Sequence, residues 1–319
     1  MYACIDLGSN SFHLLVGEWD NGKIRILERC SDKVQLGEDV RATGVISPAA
    51  FERGLTSLKH FKFLMDQYPL ERYWALGTNS LRVTQNSQDF IDAGAAIGLE
   101  VSVISGVQEA VLIYAGVITE LPEFAGNRLV IDVGGGSTEI IVGCGQQRLI
   151  TESMAIGCVA WRDRFFADDC SDTAALNRQM ELGLAAAREV FGENATGISR
   201  AGWDEAYASS GTVKMLANIC AAAGYGSKSI DYETLQFLKP QFIDCKVSGS
   251  DLPGLKQRRR DLLLPGWCIM MGLMESYNIS SISFSPTALR EGMLDFMVKN
   301  EKTLKSMEKS NLPEVSKLQ

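Results

Sequence analysis

Histidine is almost missing from this chain, with two in 319 residues. Neither His13, at a strand position, nor His60, in a helix, carries the spacing of a metal ligand, so a histidine-built metal centre is not expected. The eight cysteines include no C-x-x-C pair. That argues against a disulfide framework or a zinc ribbon and for the reduced thiols of a cytoplasmic protein. Positive charge is short as well. A net charge of −8 removes the footprint of a nonspecific nucleic-acid binder, although a local basic groove with bound cations still suits a polyanion. Long apolar runs are absent: the longest, Leu262 to Met274, is broken by Pro265-Gly266 and is too short to span a bilayer. The start, Met1-Tyr2-Ala3-Cys4-Ile5-Asp6, lacks the basic region of a secretory leader and reaches an acid at once. What remains is an ordinary apolar and charged composition in a chain long enough for two domains.

Against these absences stands a repeat. Asp6-Leu7-Gly8-Ser9-Asn10-Ser11-Phe12-His13-Leu14-Leu15-Val16-Gly17 aligns without a gap on Asp132-Val133-Gly134-Gly135-Gly136-Ser137-Thr138-Glu139-Ile140-Ile141-Val142-Gly143. The Asp, the following Gly, the Ser and the closing Val-Gly recur in register. Apolar residues precede each Asp, and a β-branched or leucine-rich run follows each Ser, which reads as strand, tight turn, strand. Two such hairpins predict two related lobes whose loops face one cleft. Backbone N–H groups in Gly-rich turns bind phosphate oxygens, and an Asp at a strand end can hold a metal.

Elsewhere helices and strands alternate. Residues 2–6, 12–18 and 23–34 read as strands, with Asn21-Gly22 as a hairpin turn. Ser47-Pro48 opens a helix as N-cap and first helical residue. A strand over 72–78, a helix over 88–97 and a strand over 101–104 follow. Ser105-x-x-Gln108 begins a helix to about Leu121 with a capping-box pattern. Leu121 to Asn127 is the linker. The second half adds strands to Met154, helices near 158–166, 173–191, 212–223, 232–245 and 259–278, and a strand over 280–285. Pro286-Thr287 starts a last helix to about Glu308, before a polar tail over 309–319. The fold class is α/β with a mixed sheet in each lobe. The expected boundaries are an N-terminal lobe over 1–123, onto which a helix over 288–308 packs back, and a C-terminal lobe over 124–287.

Gly134-Gly135-Gly136-Ser137 offers consecutive backbone donors, and neither a dinucleotide fingerprint nor a Walker loop fits it. A Gly-rich turn without a ligand explains one such loop more readily than a matched pair. Asp132 and Glu139 stand on the two arms of one hairpin and supply oxygen ligands for Mg²⁺; a turn-stabilising Asp and a solvent-facing Glu are the plainer alternative. Glu109, in the first turn of its helix, either complements the helix dipole or activates water. Arg82 follows a strand and a polar turn and is either a surface residue or a phosphate grip. Lys256 and Arg258-Arg259-Arg260 form the one basic run, read as a solvated helix start or a polyanion dock. Ser209-Ser210-Gly211-Thr212 joins a strand to a helix, where N–H groups suit an anion.

Together these segments resemble the exopolyphosphatase / guanosine pentaphosphate phosphatase (Ppx/GppA) family of the actin-like ATPase superfamily. The likeness runs from Asp6 to about Val298 in family order. It comprises DLGSNSFHLLV at 6–16, GTNSLR at 77–82, ISGVQEAVLIYAGV at 104–117 and VIDVGGGSTE at 130–139. SSGT at 209–212, LPGL at 252–255, PG at 265–266 and ALREGML at 288–294 complete it. The resemblance implies two actin-like (ribonuclease H-like) lobes with mixed sheets and flanking helices, and an active site in the interlobe cleft. It implies Glu109 as the catalytic base, and Asp132 and Glu139 as metal ligands with Asp6 as a third candidate. Ser9, Asn10, Arg82, Gly134, Gly135, Gly136 and Ser137 become phosphate contacts. Mg²⁺ or Mn²⁺ is the implied cofactor, with a monovalent cation as a further candidate and a homodimer as the candidate assembly. No nucleic acid or membrane partner is implied. The implied activity is hydrolysis of the terminal phosphate of inorganic polyphosphate, with guanosine pentaphosphate as the alternative substrate. An ATP-dependent kinase or ATPase, or a sensor without turnover, are readings of another class on the same fold. Gln108 and Val111 stand where the family has Glu and Arg, and Val111 bears on substrate affinity. A further helical domain of longer members is not expected, so the chain resembles the short form.

Overall fold

The structure, a computed structural model, describes residues 1–20, 23–167, 170, 172–226 and 229–299. The chain divides into two compact units: one runs from Met1 to Pro122 and resumes at Thr287, and the other runs from Glu123 to Pro286. The expected Asn21-Gly22 turn, the last helix beyond residue 299 and the polar tail lie outside the described residues.

The first unit opens with β1 (Tyr2–Leu7), β2 (Ser11–Asp20) and β3 (Lys23–Lys33), followed by α1 (Val40–Thr43) and α2 (Pro48–Met65). Ser47 caps α2 by accepting the Ala50 N–H, with Pro48 at the first position. Then come β4 (Arg72–Gly77), α3 (Asn79–Val83), α4 (Ser87–Ala96), β5 (Val101–Val103) and α5 (Gly106–Thr119). The sheet order is β3-β2-β1-β4-β5. Alternate residues Ala3, Ile5 and Leu7 of β1 and Phe12, Leu14 and Val16 of β2 turn to one face and pack with Ala50, Leu58 and Phe61 of α2. The polar turn expected before Arg82 is the short helix α3.

The second unit contains β6 (Arg128–Val133), β7 (Thr138–Cys144), β8 (Gln147–Met154), α6 (Cys158–Phe165) and α7 (Thr173–Ala201). It continues with β9 (Glu205–Ser209), α8 (Gly211–Ala222), β10 (Ser229–Asp231) and α9 (Tyr232–Ser248). A 3-10 turn (Gln257–Leu262), α10 (Leu263–Ser276) and β11 (Ser281–Phe284) close it. Helix α7 outruns its expected end at residue 191 because Leu176, Met180, Ala187, Phe191 and Ile198 keep one buried stripe. The helix expected from residue 259 begins instead as the 3-10 turn. The last described element, α11 (Leu289–Lys299), belongs to the first unit and packs on α5 and β1.

The sequence repeat is a repeat of topology. The second sheet has the order β10-β11-β9-β6-β7-β8. Taken from its far edge, β8-β7-β6-β9-β11 matches β3-β2-β1-β4-β5, with the same two antiparallel contacts and a parallel central pair. Even the irregularities coincide. The register slips at Val16/Gly17 between β2 and β3 and at Val142/Gly143 between β7 and β8, so the shared Val-Gly marks a β-bulge in each unit. The shared glycine after each Asp has a steric reason. A Cβ on Gly8 would sit 3.0 Å from the Ser11 carbonyl oxygen, and one on Gly134 would sit 2.9 Å from that of Ser137.

Candidate active site

In the second unit the β6–β7 hairpin places Asp132 directly opposite Glu139. Asp132 also pairs with Ser209 on β9, and Glu139 with Ser153 on β8. Residues in register share a sheet face, so Ser209, Asp132, Glu139 and Ser153 form one polar row across four strands. The serines orient the acids: Ser209 Oγ donates to Asp132 Oδ2, and Ser153 Oγ donates to Glu139 Oε1 at 2.9 Å. Glu139 is 1% exposed, which rules out the solvent-facing alternative. The row offers only oxygen donors, the ligand chemistry of Mg²⁺ or Mn²⁺, with the rest of the shell left to water and phosphate oxygens.

Beside this row lies the Gly loop. The Cys158 amide donates to the Gly134 carbonyl at 2.9 Å, and the Val159 and Ala160 amides donate to that of Gly135 at 2.8 and 3.1 Å. The first turn of α6 therefore grips the carbonyl side of the loop. Gly157 makes this seat feasible, because a Cβ there would drive into Gly136 N and come 2.5 Å from the Gly135 carbonyl carbon. Thr212 Oγ1 donates to Cys158 Sγ at 3.0 Å, which ties the start of α8 to the start of α6. Burial pushes the Cys158 thiol up to about 12. It stays a neutral thiol near pH 7 and is no nucleophile. Ser210 caps α8 by accepting the Thr212 and Val213 amides, itself at φ 107°.

The basic run separates into three roles. Arg258 is exposed. Arg260 donates to the carbonyls of Gly249 and Ser250. Arg259 turns inward, and a Cβ on Gly211 would lie 2.5 Å from its guanidinium carbon. The Arg259 guanidinium makes no hydrogen bond or ion pair among the described residues, and burial lowers its basicity. The nearby acid Asp261 is bonded to Arg162 at 3.0 Å. This sets a half-buried cation against the N-terminus of α8, an arrangement whose charge and N–H groups suit an anion. The sequence marked the run but not which arginine turns inward.

In the first unit Arg82 Nη1 donates to Glu109 Oε2 at 2.7 Å and to the Ile104 carbonyl at 3.0 Å. Arg82 is thus the partner of Glu109 rather than a surface residue. The capping box holds the start of α5: Ser105 Oγ accepts the Gln108 amide at 3.1 Å, and Gln108 Oε1 accepts the Ser105 amide at 2.9 Å. Burial raises the pKa of Glu109, and the Arg82 charge opposes that rise. The turn at Ser9-Asn10 is braced from behind, with the Gln35 amide donating to the Asn10 carbonyl at 2.9 Å and the Gly37 amide to that of Ser9 at 2.8 Å. Asn10 Oδ1 is buried with no hydrogen-bond partner among the described residues. Asp6 lies opposite His13 in the β1–β2 register. Val111 is buried within α5, where its side chain contributes packing.

Comparison with known proteins identifies relatives of the whole chain. The model of the Ppx/GppA phosphatase family matches residues 15–301. A Haemophilus influenzae protein described as "Putative exopolyphosphatase" is 34% identical over 308 residues, covering 93% of this chain and 91% of that protein. The crystal structure of an exopolyphosphatase from Cytophaga hutchinsonii superposes with a TM-score of 0.83 at 26% identity, covering 94% of this chain and 98% of that one. The Aquifex aeolicus member of the Ppx/GppA family gives a TM-score of 0.76 at 26% identity, with the same coverage. Among the described residues no helix is long and apolar enough to cross a membrane.

Proposed function

The chain belongs to the Ppx/GppA phosphatase family and is a phosphoanhydride hydrolase, and from that premise we propose that it removes the terminal phosphate of inorganic polyphosphate. The observation that carries the hydrolytic role is the buried Glu109 paired with Arg82 at the start of α5. A carboxylate held there accepts a proton from water as the new P–O bond forms and the bridging P–O bond breaks. The leaving polyphosphate departs as an oxyanion. In the second unit the amides of Gly134 to Ser137 and Arg259, and in the first the Ser9-Asn10 turn, are each suited to phosphoryl oxygens, so the residues act by positioning and charge. Asp132 and Glu139 would hold Mg²⁺ or Mn²⁺, which neutralises phosphate charge when bound.

The discriminating experiment is phosphate release by the purified full chain from long-chain polyphosphate and from guanosine pentaphosphate, with Mg²⁺ and with a chelator. The expected result is a higher kcat/KM on polyphosphate and loss of turnover on chelation. Faster turnover of guanosine pentaphosphate would reverse the substrate assignment. Stoichiometric transfer of phosphate from ATP to an acceptor would replace hydrolysis with kinase chemistry.

Arg259 provides a separate check. Arg259→Gln is expected to raise KM for polyphosphate by about 10–100-fold with less change in kcat. That is the scale of removing one charge-assisted hydrogen bond that holds ground state and transition state equally. An unchanged KM would remove Arg259 from the phosphate-binding set.

A further inference from the structure

The first unit carries a second cluster of ligand-type side chains, apart from the phosphate residues. Cys30 and Asp32 are two apart on β3, so both side chains leave the same face of the sheet. Their register partners, Leu14 and Phe12, belong to the core under α2, which makes this the α2-covered face. His60 comes from α2, one turn beyond Ser57. His60 Nδ1 lies 3.2 Å from Asp32 Oδ2, and Ser57 Oγ donates to the same oxygen at 2.8 Å. One ligand atom from each of Cys30, Asp32 and His60 falls within 4.8 Å of the other two. Tetrahedral zinc, with metal–ligand distances of about 2.0–2.3 Å, places its ligand atoms roughly 3.3–3.8 Å apart. His60 Nδ1 and Asp32 Oδ2, 3.2 Å apart, already stand close to that spacing, and the Cys30 thiol lies within 4.8 Å of its partners' ligand atoms.

We propose that Cys30, Asp32 and His60 form a binding site for a zinc-type divalent cation, with a fourth position open to solvent. The donor set selects the metal. Thiolate and imidazole favour zinc and its neighbours over Mg²⁺, whereas the Asp132–Glu139 row offers oxygen alone. Ser57 is the supporting residue that orients the carboxylate, as outer partners do in zinc sites. The cation would be held by a ring-nitrogen lone pair of His60, the Asp32 carboxylate and the Cys30 thiolate, the thiol giving up its proton on binding. It would pin the edge strand β3 to α2. The chain just beyond β3 is the segment whose Gln35 and Gly37 amides brace the Ser9-Asn10 turn. Sequence spacing hid the cluster because His60 reaches it only through the packing of α2 on the sheet.

The test is Co²⁺ titration of the chelator-treated, purified full chain. The expected result is a thiolate-to-cobalt charge-transfer band and the visible bands of four-coordinate cobalt that saturate at one Co²⁺ per chain, whatever further Co²⁺ the Asp132–Glu139 row takes. Zn²⁺ should displace the ion, and excess Mg²⁺ should not. Cys30→Ser should abolish the charge-transfer band, and both Cys30→Ser and His60→Asn should weaken binding by at least about 10²-fold, more than the loss of an outer partner. Cys170→Ser, with wild-type circular dichroism as the reference for all three variants, should leave the titration unchanged. No charge-transfer band in the wild type, or a band that survives both Cys30→Ser and His60→Asn, would overturn the proposal. Cobalt bound at the Asp132–Glu139 row would show no dependence on Cys30, so the two metal assignments succeed or fail separately.

Discussion

Replacement of Glu109 by Gln should lower kcat on polyphosphate by about 10²–10⁴-fold, the usual contribution of a positioned general base. The amide keeps the shape of the side chain and can still accept from Arg82, so circular dichroism and thermal stability should stay close to wild type. The pH profile adds a check that a merely structural role would not move. A base works ionised, so kcat rises as pH climbs through the pKa of Glu109. Burial raises that pKa and Arg82 lowers it. Arg82→Gln removes the lowering influence, and the acid limb of kcat should therefore move to higher pH. Near-normal turnover of Glu109→Gln with an intact fold would eliminate Glu109 as the base. An acid limb that stays in place in Arg82→Gln would show that the limb belongs to another group.

The second large effect concerns stability. Helices α5 and α11 meet backbone to backbone in the first unit. A Cβ on Gly292 would run into the Leu112 carbonyl oxygen and lie 2.7 Å from its carbon, while one on Gly116 would strike the Ala288 carbonyl. Neither obstacle is a side chain that could rotate away, so the helices must separate. Gly292→Ala should cost about 3 kcal/mol, at the upper end of overpacking effects. For a domain of roughly 150–250 residues that corresponds to a fall in Tm of about 6–12 °C. Differential scanning calorimetry of the full chain gives the number directly. A Tm within experimental error of wild type would mean that the two helices can part at little cost. Because α5 begins with the capping box that carries Glu109, the same substitution should also lower activity per folded molecule.

The glycine of ALREGML thus has a packing reason that the segment alone does not disclose. The same holds at the phosphate loop, where Gly157 is far from the repeat in pattern but lies against Gly135 and Gly136 in space. Other features were open to direct reading. The Ser105–Gln108 capping box involves residues three apart and forms as the pattern predicts. The Ser47-Pro48 helix start behaves likewise. Where local patterns misled, a longer-range preference outweighed them: α7 continues past residue 191 because its buried stripe continues.

By itself the sequence determined the two strand–turn–strand hairpins, their common Asp-x-Gly turns and most helix starts. Each depends on periodicity, caps and turn chemistry that act within a few residues. It also established the family, through motifs in a fixed order. Only the tertiary structure decided which groups meet. Arg82 reaches Glu109 across 27 residues, and Ser209 reaches Asp132 across 77. Arg259 rather than its neighbours turns toward Gly211, and His60 joins Cys30 and Asp32. These pairings follow from strand order and from the face each helix buries, neither of which is encoded in local spacing.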